Sequence, residues 1–345
     1  VRYGVFLPTS SNGYVASTAL PDRDPTFTEN LRLTRLAESF GLDFVLAMVK
    51  FRGPSTESHY WEGSLEAFTT AAGLLAATER IQVVASVGIL SLNPAMTARM
   101  AVTANSIGPG RFAVNVVSGW NSLEYSQMGA WPGDDYFGYR YEYAREYIEI
   151  LRELWSEGVS SYQGTYFSLD NASGLPRPAE HIPILCAGAS DKGRDFTARY
   201  GDQNLTAGAG ARDSGPDIVR RARAYGRVVT TNVLVMLIIA DTDAEAWDRV
   251  HHLNAHTDVA ALAGRREQSA KDTMNEGTAA ANAAQVQAID KDRALVGSAA
   301  TVARLLAELG EVEGIESLSL QFDDFDDGLL RFGRDVLPLL RSATE

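Results

Sequence analysis

Short apolar runs alternate with amphipathic stretches almost from end to end of this chain. Residues 3–7, 44–49, 81–87, 112–117 and 182–186 are runs rich in Val, Ile, Leu and Phe. Such runs predict strands buried on both faces. Three more follow at 203–206, 231–240 and 317–322. Between them, apolar positions recur at helical spacing behind recognisable start signals. Thr26-Phe27-Thr28-Glu29 reads as a capping box for a helix that runs to Phe40 and stops at Gly41. Ser64 is the expected cap of a helix over 65–77, and Asn93-Pro94 opens one that ends near Gly108. Further helices are expected over 141–155, 191–200, 217–225, from Ala244, and over 328–340.

Eight strand–helix units in one chain predict an α/β fold of the (β/α)8 TIM-barrel type, as one domain over 1–345. A doubly wound sheet would carry a glycine-rich first turn. Here the first strand leads into Pro8-Thr9-Ser10-Ser11-Asn12-Gly13. Two places break the rhythm. An extended loop follows strand four, and nine aromatics fall between Trp120 and Tyr147. That density suggests a site for a planar ligand rather than a plain connector. The second break is an excursion between strands seven and eight. Its polar, Ala-rich segment 269–293 has no strand pattern and reads as a lid or a surface excursion.

Charge narrows the possible partners. The net charge of −13 and pI near 4.9 argue against nucleic acid and against anionic membrane surfaces. No apolar stretch reaches 18 residues, so no membrane span is expected. With Cys186 as the single cysteine no internal disulfide can form, which fits the cytoplasm. The chain starts directly as a strand, without a signal-peptide pattern.

In a barrel of this kind chemistry sits at the C-terminal ends of the strands. Lys50 lies just past strand two, where it reads either as a solvated lysine or as a donor over the barrel mouth. Asn115 interrupts an apolar strand and needs partners, from a neighbouring strand or from a ligand. Ser190, after Gly188, is placed to cap a helix, either as an ordinary N-cap or at free N–H groups that suit a phosphate. Arg140 and Tyr141, read as lying at a helix start, either clamp the same anion or, for Arg140, form a surface pair with a nearby acid. Asp323-Asp324 and Asp326-Asp327 are either acids at the barrel mouth or helix-dipole partners. His252 and His256 have helical spacing but no HExxH glutamate, so no metal site is expected. Cys186 reads as a small core residue. No acid–base pair or activated nucleophile stands out, which leaves the chemistry to an organic cofactor. An aromatic-lined site with a phosphate clamp suits flavin mononucleotide.

Several motifs carry a family resemblance over nearly the whole chain. They are GLDFVLAMVKFRG (41–53), GRFAVNVVSGWNSLEYSQMGAWPGDDYFGYRYEY (110–143), ILCAGAS (184–190), QSAKDT (268–273), LVGS (295–298) and QFDDF (321–325). The chain resembles the bacterial-luciferase-like flavin monooxygenases, and among them the pyrimidine monooxygenases that open the uracil ring. The resemblance implies flavin contacts at Val49, Lys50, Asn115, Glu124, Arg140, Tyr141 and Ser190, and a catalytic role for Lys50 and Asn115. It implies a substrate pocket using Leu46 and Met48 beside Lys50 and Asn115. It further implies reduced FMN supplied by a separate NAD(P)H-dependent flavin reductase, O2 as co-substrate, and a homodimer or homotetramer.

One departure concerns the substrate. Leu205 and Ala207 stand where the pyrimidine enzymes carry phenylalanines, which predicts a larger pocket. A larger nitrogen heterocycle, as in riboflavin lyase (riboflavin to lumichrome) or the pyridine-ring monooxygenases, is the alternative to a pyrimidine. A deazaflavin- or nicotinamide-linked oxidoreductase and a non-catalytic flavin-binding protein are the other classes considered.

Overall fold

A computed structural model describes residues 1–272 and 278–342. Among them, the strands in chain order are β1 (Arg2–Leu7), β2 (Phe44–Ala47), β3 (Gln82–Gly88), β4 (Phe112–Val117), β5 (Val159–Ser160), β6 (Ala172–Ser173), β7 (Ile184–Ala187), β8 (Gln203–Ala207), β9 (Thr230–Ala240), β10 (Ala294–Ser298) and β11 (Ile315–Phe322). β5 and β6 form a separate antiparallel pair. Eight others close a parallel barrel in the order β9-β11-β1-β2-β3-β4-β7-β8, with β8 pairing back to β9. This is the expected TIM barrel.

The alternation of side chains explains why the strand runs are apolar throughout. Val5, Leu7, Val45, Ala47, Val114 and Val116 belong to the large layer shared with the surrounding helices. Phe6, Phe44, Leu46, Val84, Ala113, Leu185 and Leu205 point the other way and fill the barrel. Both faces are buried, so neither can be polar. Cys186 is in the outer layer, and burial pushes its thiol up to about 12, as befits an inert core residue.

The helices are α1 (Phe27–Phe40), α2 (Ala67–Ala76), α3 (Pro94–Ile107), α4 (Ser122–Ser126), α5 (Tyr136–Glu157), α6 (Asp191–Tyr200), α7 (Ala211–Ala224), α8 (Asp243–Ala255), α9 (Val259–Ala270), α10 (Thr278–Ala284), α11 (Ala299–Gly310), α12 (Phe325–Arg331) and α13 (Leu337–Ser342). None is long and apolar enough to cross a membrane. Thr26 caps α1, and Gly41 ends it in the left-handed conformation. Asn93 caps α3 ahead of Pro94.

Other boundaries differ from expectation. α2 is capped by Glu66, whose carboxylate accepts from the N–H of Phe68 and Thr69. Ser64 instead bridges to Ser10 and pins the loop beneath. α7 begins at Ala211 and runs through Pro216, because Ala211, Ser214 and Gly215 already belong to its buried stripe. The last helix starts at Phe325 and contains a π turn over Phe332–Val336.

The two interruptions also gain structure. The loop after β4 contains α4, and α5 begins at Tyr136 rather than 141. Its aromatics pack mainly on one another. Trp131 lies 5.3–6.3 Å from the rings of Phe137, Tyr136 and Tyr125. Tyr136 is fully buried and donates to the Ser118 carbonyl at 2.5 Å. The excursion after β9 holds α8 to α11 and a ninth parallel strand, β10, just after the 269–293 segment, where no strand was expected before strand eight. β10 pairs with the far half of β9, Met236 to Ala240, beyond the point where β8 stops at Leu234. Residues 273–277 of the 269–293 segment, and Thr273 of the QSAKDT motif, lie outside the described residues.

Candidate functional site

Lys50 follows β2 at the C-terminal end of the barrel and is only 5% exposed. Its ammonium is ion-paired with Glu124 on α4. Glu124 also accepts the Phe51 N–H at 3.0 Å, so one carboxylate fixes both the side chain and the backbone after β2. The Trp61 and Trp120 rings lie 4.5 and 5.1 Å from the Lys50 Nζ. Burial pushes the lysine down from its ordinary 10.5, and Glu124 opposes that shift. Lys50 is therefore a desolvated cation rather than a solvated one. Val49, beside it, is half-buried.

Asn115 lies on β4 in register with Ser86 on β3. Its amide nitrogen donates to the Ser86 hydroxyl at 3.0 Å. The Asn115 carbonyl oxygen is buried without a partner. Asn30, Asn105 and Asn204 share that feature, so the orphaned oxygen does not by itself mark a ligand site.

The third group gathers at the start of α6. Ser190 caps that helix, accepting from the Gly193 N–H at 3.0 Å, and its hydroxyl is 3.0 Å from that of Tyr141. The backbone here is tightly packed. A Cβ on Gly188 would fall 2.7 Å from the Gly193 carbonyl oxygen, and one on Gly193 would fall 2.6 Å from the Tyr141 hydroxyl. Arg140 and Tyr141 lie in the second turn of α5, not ahead of it, because Tyr136 and Phe137 are already helical and buried. Arg140 is buried and pairs with Asp272 at 2.6 Å. Its Nε has no partner. A cation, two hydroxyls and a helix start can hold an anion.

Two cavities open at the same end of the barrel. The inner one, about 230 Å³, lies toward β1, β9 and β10, with Phe6, Met48, Ala207, Leu234 and Met236 among its walls. The outer one, about 200 Å³, reaches Lys50 and Trp120. Tyr60, Trp61 and Arg265 line both. Of the expected pocket residues, Met48 and Ala207 line the inner cavity. Leu46 and Leu205 do not; they pack in the apolar layer that fills the barrel. Strand alternation does not separate the two, since Leu205 and Ala207 share a face. The difference is depth, because Leu205 lies one layer farther from the mouth.

The acidic pairs resolve as structural. Asp324 caps α12, and Asp326 and Asp327 pair with arginines. Asp323 is buried against Arg249, with burial raising its carboxyl above the usual range.

Trp61, Tyr60 and Arg265 escaped the sequence reading. Trp61 holds φ at +61°, a left-handed conformation that a bulky residue rarely adopts. The strained turn is held by its indole N–H on the Gly13 carbonyl at 2.8 Å, and by its backbone N–H on Ser11. Gly53 allows the approach, since a Cβ there would meet the Tyr60 carbonyl at 2.2 Å. No local pattern signals such a turn; the Gly53 and Trp61 pairing is visible only once folded.

Comparison with known proteins finds relatives over nearly the whole chain. The family described as luciferase-like monooxygenase matches residues 1–315. A pyrimidine monooxygenase RutA from Variovorax paradoxus is 42% identical over 351 residues, covering 99% of this chain and 95% of that one. A second RutA, from a Bradyrhizobium species, is 42% identical with 98% and 97% coverage. Among solved structures, a riboflavin lyase with modified FMN and riboflavin superposes with a TM-score of 0.86 at 19% identity, covering 100% of this chain and 92% of that one. The last likeness shows the fold.

Proposed function

This chain belongs to the luciferase-like monooxygenase family, and we propose that it uses reduced FMN and O2 to oxidise and open a nitrogen heteroaromatic ring, a pyrimidine or a close analogue. Monooxygenase chemistry with a reduced flavin follows from the family; the FMN form and the ring are the reading offered. The observation that carries it is the set of unspent polar atoms on the β2–β3–β4–β7 side of the mouth. The Asn115 carbonyl and the Arg140 Nε are buried and unpartnered, and the Arg140 guanidinium lies 5.2 Å from the ring of Tyr141, whose hydroxyl is 3.0 Å from that of Ser190.

That set fits FMN. Ser190, Tyr141 and Arg140 would hold the phosphate at the start of α6, and Asn115 would meet the ring edge. Glu124 and Val49 would fix the β2 side of the same site. When bound, the reduced flavin supplies the electrons that activate oxygen. Lys50, kept charged by Glu124 in a dry setting, donates to an oxygen of the substrate ring. The apolar walls contributed by Phe6, Met48 and Leu234 exclude water from the reacting atoms.

The inner cavity is below the roughly 300–1,000 Å³ of sites for drug-sized ligands, so one small ring system suits it. Ala207 in its wall favours a second reading, a bulkier heterocycle such as riboflavin, for which the inner and outer cavities would have to join past Trp61. A separate NAD(P)H-dependent reductase delivers the flavin to a cytoplasmic homodimer or homotetramer in either case. The test is a panel of uracil, thymine, pyridines and riboflavin with reduced FMN and 18O-labelled O2, read by mass spectrometry. One labelled oxygen in a ring-derived product is expected. Oxygen consumption that never labels any heterocycle would overturn the reading.

A further inference from the structure

The inner cavity carries an unbalanced charge. Three charged side chains line it: Arg265, Arg293 and Asp290. Arg293 is matched by Asp290, with Nε 3.3 Å from the carboxylate. Arg265, on α9, has only neutral partners among the described residues: the Gln285 side-chain oxygen and, at 3.4 Å, the Tyr60 hydroxyl. Burial pushes Tyr60 up to about 12, so that hydroxyl supplies no negative charge near neutral pH. The guanidinium also lies 5.9 Å from the Trp61 ring centroid, and its Nε is buried with no partner at all. A guanidinium offers five donors in a fixed fork. Here part of that fork is desolvated and unused, beside a chamber whose walls are mostly apolar.

A partly buried cation without a counter-ion costs stability unless something else repays it. A guest with an anionic oxygen would satisfy the free donor and balance the charge. Resting on the heterocycle reading above, we propose that Arg265 determines specificity by pairing with an anionic group, a carboxylate or an ionised ring oxygen, on the substrate. The position suits that task. Arg265 lines both cavities, so it lies between the chamber for the ring and the outer space beside Lys50. It thereby orients the ring relative to Lys50 without touching the reacting atoms itself, as a positioning residue.

The experiment compares neutral and anionic forms of one ring. Calorimetry on the FMN-loaded protein measures uracil against its 5- and 6-carboxyl derivatives, and pyridine against its carboxylates. At least one carboxylate is expected to bind about tenfold tighter than its parent, the usual scale of a charge-assisted hydrogen bond. Arg265→Gln should bring each pair to within about twofold, and Arg265→Lys should keep most of the preference. Equal affinity within every pair in the unaltered protein, or a preference that survives in Arg265→Gln, overturns the proposal. An FMN titration reports whether Arg265→Gln is folded, and the unaltered protein decides the matter alone if it is not. Binding is read apart from turnover. Carboxylate preference without labelled product supports Arg265 and overturns the monooxygenase reading; labelled product without the preference does the reverse.

Discussion

The two sides of the barrel mouth differ in one buried charge. On the β2–β4–β7 side each buried cation has its own carboxylate, Lys50 with Glu124 and Arg140 with Asp272. On the β9–β10 side Arg293 is likewise matched by Asp290, but Arg265 has only neutral hydrogen-bond partners among the described residues. Paired charges hold a fixed geometry before any ligand arrives. An unpaired one leaves its energy to be recovered on binding. The contrast fits a division of labour, with a pre-set cradle for the flavin and an unsatisfied chamber that discriminates among guests.

The sharpest way to break that comparison is Lys50→Ala. If the paired side carries the chemistry, product formation should fall by about 10²–10³, the usual loss on removing one preorganised donor. FMN affinity should fall less than about tenfold, because Ser190, Tyr141 and Arg140 remain. Single-turnover product yield and FMN titration measure the two separately. Retained turnover would remove Lys50 from the chemistry and leave Glu124 as the anchor of the Phe51 backbone alone.

Arg140→Gln tests the other pair and should have a smaller effect. Losing a charged donor to phosphate weakens FMN binding by roughly 10- to 100-fold. Riboflavin, which lacks the phosphate, should bind equally well to both proteins. A similar loss for both ligands would mean that Arg140 serves Asp272 and the α5 fold rather than the phosphate.

The same division marks what could be read before folding. Ser190 was legible because a serine after a strand and a glycine obeys a local capping rule. Lys50 and Asn115 were legible because each is polar at the end or centre of an apolar strand. Arg140 was found for its charge but misplaced, since the buried Tyr136 and Phe137 start α5 earlier than its apolar spacing suggested. The inner cavity depends on contacts that span the chain: Trp61 on Gly13, Arg265 on Tyr60, and β10 on the far end of β9. No window of sequence contains both partners of any of these. The aromatic loop taught a related lesson. Its composition suggested a ligand wall, yet most of its rings satisfy each other in a small core of their own.

Ala207→Phe sharpens the comparison from the chamber side. Ala207 faces the inner cavity, whereas Leu205 belongs to the packed layer beneath. A ring at 207 should shift kcat/KM toward the smallest substrates by about tenfold, within the range for a changed hydrophobic pocket. Leu205→Phe should instead overpack the barrel and lower the melting temperature, with little change in preference. An unchanged preference in Ala207→Phe would show that the substrate does not enter this chamber.

The smallest expected effect concerns the joint between the two sides. Asp258 caps α9, accepting from the Ala261 N–H at 2.9 Å, and binds both the N–H and the hydroxyl of Ser58, at 3.0 and 2.6 Å. It thus ties the helix bearing Arg265 to the loop bearing Trp61. Burial raises its carboxyl, but these hydrogen bonds outweigh that and hold it down at about 2. A carboxyl lowered on folding contributes stability that is fully present above its unfolded value, near 4, and is lost as pH falls toward 2. Asp258→Asn keeps a capping side chain but cannot titrate, so the melting temperature should lose part of its slope between about pH 4 and 2. Asp258→Ala should cost about 1 kcal/mol at neutral pH, the usual worth of such a cap. If Asp258→Ala also erases any preference for anionic rings while FMN binding is kept, the chamber depends on α9 being docked. If the preference survives, Arg265 is held by Gln285 and Tyr60 alone, and the two sides of the mouth are independent.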